Sequence, residues 1–287
     1  MPRIFRRLIK VKKNKPELFL TYGAIVILLA ILIFPVYWMV ISSLQPSSRL
    51  MNLPPYFVPD SFYVNNYLRI VSESNYTRFF LNSIIVASGT VTAVFLIAIP
   101  AGYSFSRYFF KGKSLMLTSI MSVQMFPIVV ILISLYTFYM RMRLLNTYQG
   151  IILAHTTISL PLSIMLMKSF FDTLPRSLDE SARIDGAGRL RILFSILIPL
   201  TKPGLVATGI YTFLTSWDDY LFSLTIMQRN NMKMLTVGLA QSFMGEYAHD
   251  YGALMAFCVA GSIPIVLFFV ACQKYMISGL TAGAVKG

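Results

Sequence analysis

Six mostly apolar stretches recur along the chain, at 18–43, 79–106, 115–140, 147–167, 203–228 and 252–273. Each is long enough to cross a bilayer as a helix, which takes about 20 such residues. In lipid the backbone must satisfy its own hydrogen bonds, so the stretches read as helices. The expected fold is all-α, an integral membrane bundle of six transmembrane helices. The chain is 56% hydrophobic and only 13% charged, whereas soluble domains carry about 25% charged residues.

Net charge is +14, and its placement along the chain sets an orientation. Arg3, Arg6, Arg7, Lys10, Lys12, Lys13 and Lys15 precede the first stretch, and further cations follow the second, fourth and sixth. Eighteen Lys and Arg residues fall on that side and seven on the other. Positive charge collects in cytoplasmic loops, so both termini are expected in the cytoplasm, with the basic tail against anionic lipid rather than nucleic acid. The first apolar run is too long for a signal peptide core, and no small-residue cleavage site follows it. Cys258 and Cys272 lie fourteen apart in the last stretch, roughly 21 Å along one helix, too far to bridge, and read as small packing residues. The expected divisions are a cytoplasmic tail at 1–17, a membrane domain at 18–276 and a second cytoplasmic tail at 277–287.

The loop between the first two stretches, 44–77, is the longest on the outer side and contains Asn65–Val71, a candidate short helix. It is too small for a receptor domain. Gly89 with Ala93, and Ala98 with Gly102, place small residues four apart, which allows close helix approach. Pro35, Pro100, Pro127, Pro161 and Pro264 are candidate kinks.

The polar segment 171–202 is the most informative part of the chain. Ser177-Leu178-Asp179-Glu180 fits a capping box, and the two carboxylates suit the positive end of a helix dipole. A short helix is expected to run to about Asp185 and to stop at Gly186 or Gly188. A second helical segment should span 189–198 before Pro199 and Pro203. Ser181 and Ala182 are small enough for a partner surface to close over them, and Leu178 and Ala182 share a face.

This segment resembles the EAA loop of binding-protein-dependent ABC import permeases. Glu180-Ser181-Ala182, Gly186 and Ile196-Leu197-Ile198-Pro199 keep that spacing, with Ser181 and Ile198 as mild departures. Asn66-Tyr67, Asn82-Ser83, 101–107, Phe170-Phe171, Trp217-Asp218-Asp219 and the tail 279–287 are similar to the carbohydrate-importing, maltose-system branch. The resemblance implies the type I (MetI-like) importer permease architecture in the cytoplasmic (inner) membrane. It implies an ATP-driven subunit that moves a sugar or oligosaccharide by alternating access, with a polyol or glycerol-phosphate ester as the alternative cargo. It implies a coupling helix carrying Leu178, Glu180, Ser181, Ala182, Asp185, Gly186 and Ala187, and a tail contact through Thr281, Ala282, Gly283 and Lys286. The implied partners are a second, homologous permease in a heterodimer, two ATPase subunits that bind the ATP and Mg, an extracytoplasmic solute-binding protein and membrane lipid. No cofactor is expected on this chain.

Other chemistry is thinly represented. Gly112-Lys113-Ser114 lacks the first glycine of a phosphate loop, Arg107 standing in its place, and no strand precedes it. His155 and His249 are distant in sequence and no cysteine–histidine cluster exists, so no metal site is expected. Asp218 and Asp219 are the acidic residues inside a stretch, roughly 22 Å along the fifth helix from Pro203. With Trp217, Tyr220, His155 and Thr156 they are candidates for the solute pathway, since intramembrane carboxylates usually face a cavity or a partner. The readings left open are a structural hydrogen bond, an interfacial aromatic belt and, remotely, a membrane enzyme using the Asp pair.

Overall fold

The computed structural model describes residues 15–59, 62–72, 74–243 and 250–284, with side chains of 15–17, 74 and 274–284 left out. The helices in chain order are α1 (Lys15–Ser43), α2 (Ser47–Leu50), α3 (Asn65–Ser72), α4 (Ser74–Arg107), α5 (Lys113–Ser122), α6 (Ile128–Arg141) and α7 (Tyr148–Asp172). They continue with α8 (Ser177–Ile184), α9 (Arg189–Leu200), α10 (Lys202–Trp217), α11 (Leu221–Ile226), α12 (Leu235–Phe243) and α13 (Tyr251–Ala284). No strand occurs among the described residues.

Among the described residues, four helices are long and apolar enough to cross a membrane alone: Leu18–Ser43, Asn75–Arg107, Tyr148–Asp172 and Tyr251–Gln273. They coincide with the first, second, fourth and sixth expected stretches. The third is broken: Lys113–Met125 and Ile128–Arg141 meet at 95°. Pro127 has no N–H to give, and Phe126 before it is extended (φ −77°, ψ 138°), the conformation a following proline favours. Pro35, Pro100, Pro161 and Pro264 sit inside unbroken helices. The fifth stretch is shorter than its apolar composition suggested. α10 ends at Trp217, and α11 begins only at Leu221. Before it, α9 meets α10 at 82°, and α9 contains a π-helical stretch at Ile192–Leu197.

The described residues form two units. One runs to Tyr67 and includes α13 as far as Val259. There Asn66 donates to the Ser43 and Gln45 carbonyls at 2.9 Å each, and Ser47 donates to Asp250 Oδ1 at 2.5 Å. α1 is largely exposed within this unit.

The other unit starts at Leu68 and takes α13 from Ala260. Its centre is the pairing of α4 with α7, with α10 laid against both. Gly102 marks a close approach of α4 to the backbone of α7: a β-carbon there would stand 2.7 Å from Met167 Cβ and 2.9 Å from the Lys168 nitrogen. In lipid, apolar burial gives helices little reason to associate, so small residues and interhelical hydrogen bonds carry the packing. Ser163 and Thr212 approach at 3.4 Å, and Asn82 accepts from Tyr148 Oη at 2.7 Å. Asn82 also donates to the Asn231 and Lys233 carbonyls at 3.1 and 2.9 Å, which anchors the turn after α11.

Candidate functional site

The segment after α7 folds as a short helix held by one face. Leu174 and Pro175 end the turn, and α8 follows with Asp179 and Ala182 buried three residues apart. Ala182 joins a core with Tyr103, Phe105, Phe171, Ile192 and Leu193. Leu178 is half-buried, while Glu180, Ser181 and Asp185 are exposed, and Ile184 is 87% exposed. Ala182 therefore faces the protein's own core, contrary to the expectation that a partner closes over it. The outward face is Glu180, Ser181 and Ile184, with Leu190 of α9 also exposed.

The helix ends as the glycine suggested. Gly186 has φ 78°, its N–H donates to the Arg183 carbonyl at 3.0 Å, and the Ala187 N–H donates to the Ala182 carbonyl at 2.9 Å. That pair is a Schellman closure, with the glycine in the left-handed region that side chains disfavour. Asp185 is the C-cap, so the helix stops one residue before the expected end. The capping box does not form. The N-cap is Arg176, in αR conformation with no side-chain bond. The chain enters through a turn in which the Asp179 N–H donates to the Arg176 carbonyl at 3.0 Å. Ser177 is thus already helical and cannot take the extended geometry that a capping hydroxyl needs.

Sequence reasoning missed the buried ion pair beneath this helix. Arg107 Nε faces Asp179 Oδ2 at 3.1 Å, with side chains 5% and 6% exposed. The other two guanidinium nitrogens each donate to the Leu174 carbonyl at 3.2 Å, and Tyr103 Oη donates to Asp179 Oδ1 at 3.5 Å. Beside them Ser106 donates to Asp172 Oδ1 at 2.7 Å, and Lys168 pairs with Asp172 Oδ2 at 2.6 Å. Arg176 and Lys113 lie over the Phe109 ring at 4.8 and 5.3 Å, and Arg189 lies over Tyr108 at 5.4 Å. The available signal was an arginine ending an apolar helix beside a serine that starts no other motif, which says nothing about its partner.

The second candidate group lies at the break between α10 and α11. Asp219 accepts from the Ser223 N–H and hydroxyl at 2.8 Å each and from the Phe222 N–H at 3.4 Å. It thereby caps the incoming helix. His155 Nε2 faces the same carboxylate at 3.2 Å, and Nδ1 lies 2.8 Å from Ser216 Oγ. Asp218, one residue earlier, is exposed. Trp217 is buried and stacks on Phe213 at 5.4 Å, so its ring is not free to stack on a solute. Thr156 is buried and Tyr220 exposed. The structure thus joins His155 to Asp219 and separates Asp218 from both.

Thr281, Ala282 and Gly283 fall on the helical backbone of α13, with side chains outside the described residues; Lys286, His249 and the 1–14 segment of the basic tail also lie outside them.

Residues 93–281 match the family described as binding-protein-dependent transport system inner membrane component. A sulfoquinovosyl glycerol transport system permease protein of Agrobacterium fabrum is 34% identical over 93% of this chain and 94% of its own length. A trehalose/maltose transport system permease protein of Thermococcus litoralis is also 34% identical, over 94% of this chain and 97% of its own. In fold, the chain is similar to a subunit of a bacterial ABC transporter involved in import of the acidic polysaccharide alginate. That match has a TM-score of 0.78 at 20% identity and covers 91% of this chain and 98% of the other.

Proposed function

The chain belongs to the family of binding-protein-dependent transport system inner membrane components, and from that premise we propose that it moves a sugar or sugar conjugate through the membrane, driven by a separate ATPase docked on α8. The single observation that carries the docking site is the two-sidedness of α8. Its inner face is bolted to the core through Asp179 and Ala182, while Glu180, Ser181 and the almost fully exposed Ile184 point outward. An exposed apolar side chain beside a carboxylate, on a helix closed by a left-handed glycine, suits a groove on a partner. The excess of Lys and Arg on that side supports a cytoplasmic location for it. The cargo class rests on the carbohydrate systems named for the relatives.

A second permease, two ATPase subunits and an extracytoplasmic binding protein complete the proposed assembly. Closure of the ATPases moves α8, and the spans alternate between inward-open and outward-open states. The test is isolation of the tagged chain from its native membrane in mild detergent, followed by mass spectrometry. A co-isolated ATPase and a second multispan protein are expected. A chain that comes alone under several mild conditions would overturn the docking role.

A further inference from the structure

We infer that the buried Arg107–Asp179 pair is the internal link that delivers movement of α8 to the membrane-spanning helix α4. The inference rests on the docking role proposed above for α8 and says how the displacement travels once the helix is pushed.

α8 has eight residues, too few to be stable or stiff alone, so whatever moves it is transmitted through its attachments. Two are on its inner face. Ala182 is an apolar contact that can slide. Asp179 is held by a guanidinium whose Nε stands 3.1 Å from its carboxylate, both side chains shielded from solvent. Separating two buried charges leaves each without its partner in a medium that solvates it poorly, so this attachment resists sliding. Arg107 is the last residue of α4, a helix of 34 residues that packs along α7. The same guanidinium donates twice to the Leu174 carbonyl in the turn after α7. One side chain therefore ties α8, the end of α4 and the end of α7 into a single body. Arg107 and Asp179 are positioning residues: neither faces the outward surface of α8.

The experiment uses the tagged chain with its co-isolated partners, probed by hydrogen–deuterium exchange with and without a non-hydrolysable ATP analogue and Mg. In the parent complex, nucleotide should change exchange in peptides from both 177–185 and 74–107. In Asp179→Asn, which keeps the side-chain shape, the change at 177–185 should persist and that at 74–107 should shrink at least five-fold. Asp179→Glu, which keeps the charge beside the guanidinium, should retain most of the response at 74–107. A merely structural role would alter exchange equally with and without nucleotide. The inference is overturned if Asp179→Asn keeps the parent response at 74–107, or if the parent shows none there. If Asp179→Asn fails to accumulate, Arg107→Gln decides: membrane insertion with the parent response at 74–107 also overturns it. A parent chain that isolates without any ATPase is read before any variant and defeats the docking reading itself.

Discussion

Asp218 and Asp219 are identical side chains one residue apart, and the structure gives them different work. Asp219 caps α11 and faces His155, whereas Asp218 points away, exposed. His155 is 3% exposed at its side chain, so removing it leaves the Ser216 hydroxyl and one face of the Asp219 carboxylate unanswered inside the protein. His155→Ala should therefore destabilise by about 1–3 kcal/mol. Asp218→Asn should stay within about 0.5 kcal/mol of the parent. Scanning fluorimetry on the purified protein, with both variants side by side, checks the contrast; equal midpoints would contradict it. The sequence singles out all of these residues as polar groups in an apolar stretch. It cannot pair them, because the pairing depends on where α10 stops, and Asp219 itself helps set that stop by capping the next helix. Arg107 and Asp179 escaped for a related reason. Seventy-two positions separate them, and each had a local explanation, one as a topology charge and the other as a helix-dipole charge.

Among the elements, α8 was legible because its ending has local chemistry: a glycine where the backbone must turn left-handed. Its beginning was misread because the capping pattern competes with a turn through Pro175 that no pattern records. Of the candidate kinks, Pro127 is where a described helix pair breaks, at 95°, whereas the break at 218–220 was missed because the Asp pair was read as lying inside one continuous helix. At Gly186 a β-carbon would meet nothing within 4 Å, so Gly186→Ala is opposed by conformation alone, at about 1–2 kcal/mol. It should insert normally and retain its co-isolated ATPase. Gly186→Pro is different in kind. Proline fixes φ near −65° where 78° is required, and it removes the N–H that donates to Arg183. That variant should still accumulate in the membrane yet lose uptake and the co-isolated ATPase. Normal uptake in Gly186→Pro would show that the closure of α8 has no part in coupling. Near the C-terminal ends of α4 and α7, Gly102→Val has no room beside Met167 Cβ and the Lys168 nitrogen. Overpacking of this kind costs about 1–3 kcal/mol. The variant should melt lower in detergent, and an unchanged midpoint would mean that the two helices can separate there freely.

For the molecule as a whole, the proposal requires that α8 and the loop after α1 lie on opposite sides of the membrane. The charge count argues for it: eighteen cations share a side with α8, and seven share a side with the outer loop. The bent helix pairs put this at issue, because a broken stretch can either cross or return to the side it came from. If the 113–141 pair crosses, three crossings lie between Asn52 and Ser181, an odd number that sends them to opposite faces; if it turns back, the number is even and they share one. Single cysteines at these two exposed positions, in a chain with Cys258 and Cys272 replaced by alanine, separate the cases. A membrane-impermeant maleimide applied to intact cells, with the outer layers permeabilised, should label Asn52→Cys and spare Ser181→Cys. Inside-out vesicles stripped of peripheral proteins should reverse the pattern, since stripping uncovers the docking face. Labelling of both positions from one side would place α8 and the outer loop together and make the 95° bend a re-entrant turn; labelling of both from outside would also leave the exposed face of α8 with no ATPase to meet.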